Sequence, residues 1–183
     1  MLSQRELELA LRRATYMCLG LPPPEGEEPL RCRVRISWPS GPADANLPEW
    51  GREENVCFLR VASAPDPYSS HLHSTYGDSA NGFAEAVEYT RVHQAHWILY
   101  GPDAPGDADL IRASICRDSV RRALRAYSLY PVPGAPEAQR APELINGAWW
   151  ERCDLFLRFY EGARREFRAD RISAPPRVRT EWR

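Results

Sequence analysis

The 183-residue sequence predicts an α+β fold, two helices packed on a mainly antiparallel sheet in the order α-β-β-β-α-β-β. Three observations predict it. Proline is crowded into two stretches, seven between Pro22 and Pro48 and four between Pro131 and Pro142, and is absent from 68–101, 106–130 and 143–174. Proline breaks helices and ladders alike, so the proline-free windows are where regular structure belongs. Several windows alternate apolar and polar residues with the two-residue period of a strand. Two others carry apolar residues at helical spacing.

The first element is a helix over about 3–19. Ser3 and Glu6 have the spacing of a capping box, and Leu7, Leu11, Ala14 and Cys18 form the apolar stripe. Gly20 and Pro22–Pro24 stop it. Residues 31–38 alternate strictly: Cys32, Val34, Ile36 and Trp38 against Arg31, Arg33, Arg35 and Ser37. This is a half-buried strand whose arginines line the outer face. The loop 39–54 leads to a more deeply buried strand at 55–62, and 63–82 reads as a long, polar, mobile loop.

The window 84–100 contains no turn signal. As one strand of 17 residues it spans roughly 56 Å at ~3.3 Å per residue. A compact chain of this size has a radius of gyration near ~16 Å and a diameter of roughly 40 Å. Such a strand bends sharply or projects, and a projecting ribbon needs a partner to cover it. Tyr89, Arg91 and His93 on that ribbon are candidate subunit-interface residues.

Gly101 and Pro102 end the strand, and Asp107 is positioned to cap a second helix over about 107–128. Cys116, Val120, Ala123, Leu124 and Tyr127 form its main stripe, while Ile111 and Ile115 fall on another face. Those two isoleucines either touch a neighbouring subunit or meet a loop of the same chain. Tyr130-Pro131 stops the helix. Trp149 to Tyr160 alternates again, and Glu161-Gly162-Ala163 is read as a turn into a last strand at 164–172. One domain covers 1–174, and 175–183 is a loose, charged tail.

Composition narrows the function classes. No run reaches the ~18–20 apolar residues of a membrane span, and Met1–Gly20 mixes Arg and Glu, unlike a signal peptide. All 24 basic residues are Arg, and the net charge of −1 makes no electrostatic case for nucleic-acid binding. Five scattered Cys without a C-x-x-C pair indicate reduced, mostly buried thiols rather than a zinc site or a disulfide framework. Nucleotide-binding and hydrolase motifs do not occur. His71 and His73 with Asp66 and Asp78 form a weak metal-binding pattern, read as a solvated loop. No catalytic residue, metal or cofactor is expected.

Charge is unevenly distributed. Residues 1–40 carry six Arg and five acids, 41–109 three Arg and eleven acids, and 110–183 fifteen Arg and nine acids. If the acidic and basic segments occupy different sides, head-to-tail contact between copies is favoured; if their strands interleave, the charges mix.

The run Trp97-Ile-Leu-Tyr-Gly-Pro-Asp-Ala104, then Ala108-x-x-Ile111-Arg112, then Pro142 to Arg152 with Asp154-Leu-Phe-Leu-Arg-Phe159, resembles the neck and tail terminator family of tailed phages. The resemblance covers about 84–174. It implies a tail-terminator-like fold and a virion structural protein at the head–tail junction, made in the host cytoplasm. Such a protein is a homohexameric ring that caps the tail tube, ends its polymerisation and docks to the head connector, with DNA only passing through the lumen. It implies no enzyme activity. Within the motif, Tyr100, Gly101, Pro102, Asn146, Gly147, Trp150, Arg152 and Asp154 have fold-specifying roles: Gly101-Pro102 turns the chain, Asn146-Gly147 makes a tight turn, Trp149 or Trp150 packs, and Arg152 pairs with Asp154. The alternatives are another head-completion or minor tail protein, an Arg-rich nucleic-acid-binding domain resting on the Arg31, Arg33 and Arg35 face and the basic C-terminal third, and a small enzyme using the His71–Asp78 loop.

Overall fold

The computed structural model describes residues 1–22, 33–36, 50–80 and 82–170. The expected Pro-rich loop at 23–30, Arg31, Cys32, Trp38, the loop at 39–49 and the tail at 175–183 lie outside them. In chain order the elements are α1 (Gln4–Cys18), β1 (Val34–Ile36), β2 (Val56–Ser63), a 3-10 turn (Pro67–Ser70), β3 (Leu72–Ser79), β4 (Gly82–Tyr100), α2 (Ala104–Ser114), α3 (Asp118–Arg125), β5 (Leu129–Pro131), β6 (Gln139–Arg140), β7 (Glu143–Ile145), β8 (Ala148–Trp150) and β9 (Arg152–Arg168). The class is α+β with a mainly antiparallel sheet. The main sheet runs β1-β2-β4-β9-β5, with β3 added to β4 and β6 to β9; only β1–β2 is parallel.

Helix α1 forms as its sequence directs. Ser3 Oγ accepts from Glu6 N–H and the Glu6 carboxylate accepts from Ser3 N–H, the reciprocal box. Leu7, Leu11, Ala14 and Cys18 are buried against the sheet. A polar thread ties the helix down: Trp97 Nε1–H donates to Thr15 Oγ1 (2.8 Å), whose hydroxyl donates to Leu11 O (2.8 Å). Buried Arg12 donates to Val34 O (3.0 Å), and Tyr16 Oη accepts from Val34 N–H (3.2 Å). Two helix side chains thus satisfy both backbone groups of Val34 on the side of β1 away from β2, where an open edge would otherwise stand.

Strand β4 is the spine, one continuous strand of 19 residues, roughly 60 Å long at ~3.3 Å per residue. It pairs with β9 over its whole length from Ala84 to Tyr100. Its other edge is shared, β2 taking His93–Tyr100 and β3 taking Gly82–Tyr89. The odd residues of β4 and β9 face the helices. Ala95, Trp97, Leu99, Cys153, Leu155, Leu157 and Phe159 pack there with α1, α2 and α3. The even face carries a second apolar cluster of Trp50, Val56, Phe58, Ile98, Tyr100 and Trp150.

Six expectations are corrected. The single helix at 107–128 is two helices, broken at Ile115–Arg117. A continuous helix cannot bring both the Ile111/Ile115 face and the Val120/Leu124 face to one sheet; the break re-aims α3 so that both do. Ile111 and Ile115 are accordingly 0% and 1% exposed, in the core of their own subunit and not at an interface. Cys116, assigned to the stripe, falls in the break and is exposed. The helix also starts earlier, with Asp103 at the N-cap and Pro105 in the first turn, where its missing N–H costs nothing.

The polar segment 63–82 is not a loop. It contains the 3-10 turn and β3, recruited by the free edge of β4 although His, Ser, Gly and Asp are poor strand formers. Glu161-Gly162-Ala163 makes no turn either. Gly162 sits in the ladder opposite Thr90, so the two last strands expected at 149–160 and 164–172 are one long strand, β9. A short hairpin, β7–β8, precedes it.

Candidate interaction surface

The distal halves of β4 and β9, with β3, form a three-stranded arm. All described side chains of β3 from Leu72 to Asp78 are exposed. On the helix-side face of the arm, Leu72 (68% exposed), Tyr76 (63%) and Phe167 (50%) stand beside Tyr89, Val87 and Phe83. Tyr76 donates to Glu85 across the ladder (3.0 Å), which raises the phenol above its ordinary value, through that bond first and the carboxylate's charge second. The single long strand expected from 84–100 is present, with a third strand added along its Gly82–Tyr89 half.

The candidate interface residues Tyr89, Arg91 and His93 lie where this arm leaves the core, and they are engaged within the chain. Glu161 is buried beneath them. Its Oε2 lies 2.7 Å from His93 Nε2 and 3.1 Å from Arg91 Nη1, and its Oε1 accepts from Leu2 N–H (2.8 Å). Arg91 also donates to Leu2 O (3.1 Å), and Tyr89 Oη to Met1 Sδ (3.6 Å). The four residues latch the start of the chain to the base of the arm. His93 is fully buried, so it is not an interface residue in this conformation; Arg91 and Tyr89 keep partial exposure. The buried acid was missed because Glu161 sits beside a glycine in a segment that reads as a turn. Its odd parity with Leu155, Leu157 and Phe159 was the available signal.

The motif residues meet at the other end of β4. Gly101 takes φ +109°, and a Cβ there would lie 2.5 Å from Asn55 Oδ1 and 2.7 Å from Glu54 O, so glycine is required on both counts. Asn55 in turn accepts from Asp103 N–H (2.9 Å), which fixes the entry to α2. Asn146 (φ 48°) and Gly147 (φ 77°) make the tight turn of the β7–β8 hairpin, as the pair predicts. Trp150 is buried in the second cluster, while Trp149 (66% exposed) and Leu144 face outward from the hairpin.

Arg152 makes the expected pair with Asp154 by two parallel bonds of 2.8 Å, and extends it to Glu143 (3.1 Å), which accepts from Tyr100 Oη (2.6 Å). Burial and the Glu143 bond push the Tyr100 phenol well above its ordinary value. Burial pushes the Asp154 carboxyl up, but His96, 3.8 Å away, and the two bonds from Arg152 outweigh it and hold the group below its ordinary value. Arg152 also lies over the Tyr100 ring at 5.8 Å. The network joins a bidentate Arg152–Asp154 pair to Glu143 of the hairpin and Tyr100 of β4, which suits it to holding the hairpin against the sheet.

Of the arginines behind the nucleic-acid alternative, the two that are described, Arg33 and Arg35, are used inside the fold. Arg33 pairs with Asp107 of α2. Arg35 lies over Trp50 (5.8 Å) and Phe58 (5.7 Å) and pairs with Glu54 (3.7 Å), covering the second cluster rather than forming a solvated basic face. The His71–Asp78 pattern is dispersed. His71 closes the 3-10 turn, Asp66 caps Tyr68 N–H (2.9 Å), and His73 and Asp78 stand at separate positions along β3, opposite Glu88 and Phe83. Among the described residues no three His, Cys, Asp or Glu side chains converge as a metal site, and no helix is long and apolar enough to cross a membrane.

Burial pushes the Cys18 thiol up to about 12 and the Cys57 thiol higher still. Both are held as inert thiols in the core. A comparison with family models and with curated proteins finds no match to this chain.

Proposed function

We infer that this chain is a virion structural protein of the head–tail junction: one copy of a hexameric ring that caps the tail tube, ends its polymerisation and docks to the head connector. The observation that carries the reading is the arm. A chain with a complete core extends three strands beyond it and exposes Leu72, Tyr76 and Phe167 on one face. Exposed apolar residues on a strand with an open edge are an aggregation hazard unless a partner covers them.

A second apolar pair, Leu144 and Trp149 on the β7–β8 hairpin, is exposed near Tyr100, at the opposite end of β4 from the arm. Two such surfaces at opposite ends of a rigid spine suit a subunit that contacts different neighbours at each end. The motif resemblance adds the identity of those neighbours, tail tube on one side and connector on the other.

The mechanism is one of matched surfaces. A tube of stacked rings grows because each ring offers the next the edge it was itself recruited by. A ring of a different protein that binds this edge and presents another surface stops addition, and that new surface recruits the connector. The fold supplies rigidity for this: the arm is latched at its base by Glu161, and the hairpin is held by the Arg152 network. DNA passes through the ring without sequence contacts.

The test is a tube-growth assay. Purified chain added to the tail tube protein of the same virion during polymerisation should shorten and narrow the tube-length distribution, with the chain at one tube end. Unchanged tube lengths, with the chain unbound, would overturn the reading. The double replacement Leu144→Ser with Trp149→Ser should leave tubes capped yet reduce connector docking.

A further inference from the structure

Among the described residues the arm has two open strand edges, and they are complementary. Among the described residues β3 pairs only with β4. On its far side β9 pairs with β6 and β5 only as far as Glu161, and Gly162 N–H donates to Ser128 O (3.3 Å). Residues 163–168 have no strand beyond them among the described residues.

The two-residue period fixes which backbone groups face each edge. Arg158 O accepts from Val132 N–H (2.9 Å) on the far side of β9, as Gly162 N–H donates there, so even residues of β9 point outward. At the open stretch these are Arg164, Glu166 and Arg168. On β4, Val92 O accepts from Ala64 N–H (2.9 Å) on one side and Phe83 O from Ala169 N–H (3.1 Å) on the other. Even residues of β4 therefore bond toward β2 and β3, and their partners in β3 are His73, Thr75 and Gly77. Leu72, Ser74 and Tyr76 present N–H and C=O to the edge away from β4.

Strands β3 and β9 are both antiparallel to β4 and hence parallel to each other. A copy rotated about an axis along the strands brings its β3 beside β9 in parallel. In a parallel ladder, a residue facing its neighbour bonds to the two residues flanking its register partner. An even residue of β3 then lies in register with an odd residue of β9 and bonds to even ones such as Arg164 and Glu166. Even side chains of β3 and odd side chains of β9 share the helix-side face, so this pairing satisfies both edges and keeps one face continuous. Leu72 and Tyr76 of one copy then join Phe167 of the next. Antiparallel pairing of the same edges opposes even residues of both strands, whose side chains lie on opposite faces, and turns one copy over.

Charge agrees with the pairing. The β4 stretch behind β3 carries Glu85 and Glu88 and no Arg, whereas the end of β9 carries Arg164, Arg165 and Arg168 against Glu166; Arg164 already pairs with Glu88 in the same chain (3.2 Å), so the contrast rests on Glu85 with Arg165 and Arg168. We propose that copies of this chain join by parallel strand addition, the free edge of β3 in one copy against residues 163–168 of β9 in the next. The contact is head-to-tail, so repeating it by rotation closes a ring. It deepens the functional reading above and rests on that reading only for the number of subunits.

The test is disulfide trapping in the full chain with Cys32 and Cys116 replaced by Ser. Ser74→Cys in one preparation is mixed with Ala163→Cys, Arg165→Cys or Phe167→Cys in another, a series that spans the register. A covalent dimer is expected in at least one mixture and in no preparation alone; the matching double variant yields a ladder ending at the ring size. Dimers from Ser74→Cys alone, from the β9 variants alone, or no cross-link in any mixture overturn the proposal. Ser74→Pro, which removes one outward N–H at the edge, should abolish the native assembly with an unchanged far-ultraviolet spectrum; an assembly that persists also overturns it. A ring on the tail tube without this cross-link refutes the pairing and leaves the functional reading standing. A cross-linked ring that leaves tube growth unaffected does the reverse.

Discussion

Replacing Glu161 with alanine removes the carboxylate that His93, Arg91 and the Leu2 amide share at the base of the arm. His93 and Glu161 are each 1% exposed, so no water takes over the lost bonds. Deleting the acid leaves the buried His93 ring and the Leu2 amide without their partner and takes the ion pair from Arg91, which is 27% exposed; about 3–4 kcal/mol is expected. For a chain of this size each kcal/mol lowers the melting temperature by about 2–4 °C, so a fall on the order of 10 °C is expected. Glu161→Gln keeps an oxygen for Leu2 N–H but puts an amide donor where Oε2 accepted from Arg91, so the charge and that bond are lost; about 2 kcal/mol is expected. Calorimetry supplies the ordering, wild type above Gln above Ala. Hydrogen exchange at the Leu2 and Arg91 amides should accelerate in the Ala variant, because the start of the chain is released from the arm. An Ala variant within about 1 kcal/mol of wild type, or one equal to Gln, would refute the latch.

Other outcomes follow from the same geometry. Gly101→Ala places a Cβ 2.5 Å from Asn55 Oδ1 at φ +109°, and should cost about 3 kcal/mol by urea titration with the slope unchanged. Thr15→Val strands the Trp97 indole N–H in the core and should cost about 1–3 kcal/mol. Asp154 is held below its ordinary value of 3.8, so its stabilising contribution is complete above that pH and disappears as pH falls through the lower folded value. The stability gap between wild type and Asp154→Asn should therefore be full at neutral pH and shrink on the acid side; a gap that widens on acidification contradicts the assignment. Brief alkylation should label Cys116 and spare Cys18, Cys57 and Cys153 in peptide maps, and fast labelling of Cys57 would contradict the core.

Local chemistry explains which parts of the fold were legible. The Ser3–Glu6 box, the Gly101-Pro102 stop, the Asn146-Gly147 turn and the bidentate Arg152–Asp154 pair each need only a few neighbouring residues, and each stands as its spacing indicates. The long strand β4 was readable for the same reason: nothing in it can turn. What escaped depends on distant partners. β3 exists because β4 offers it an edge, and its own polar sequence gives no sign of that. Gly162 reads as a turn and is held extended by seventeen-residue pairing between β4 and β9. Ile111 and Ile115 look like a spare face only if the helix is unbroken, and the break at Ile115–Arg117 lacks a proline to announce it. In the site, Tyr89, Arg91 and His93 are rightly placed at the arm, but their shared acid comes from a strand 68 residues later than His93.

The central claim is that this chain works by docking its arm to copies of itself at the end of a tail tube. Electron cryo-microscopy of assembled particles tests it most directly. The account predicts a six-fold ring between tube and connector, with β3 of each subunit continuing the sheet from β9 of its neighbour. Particles in which this chain is missing from that junction, or in which the arm of each subunit lies bare in solvent, would contradict it.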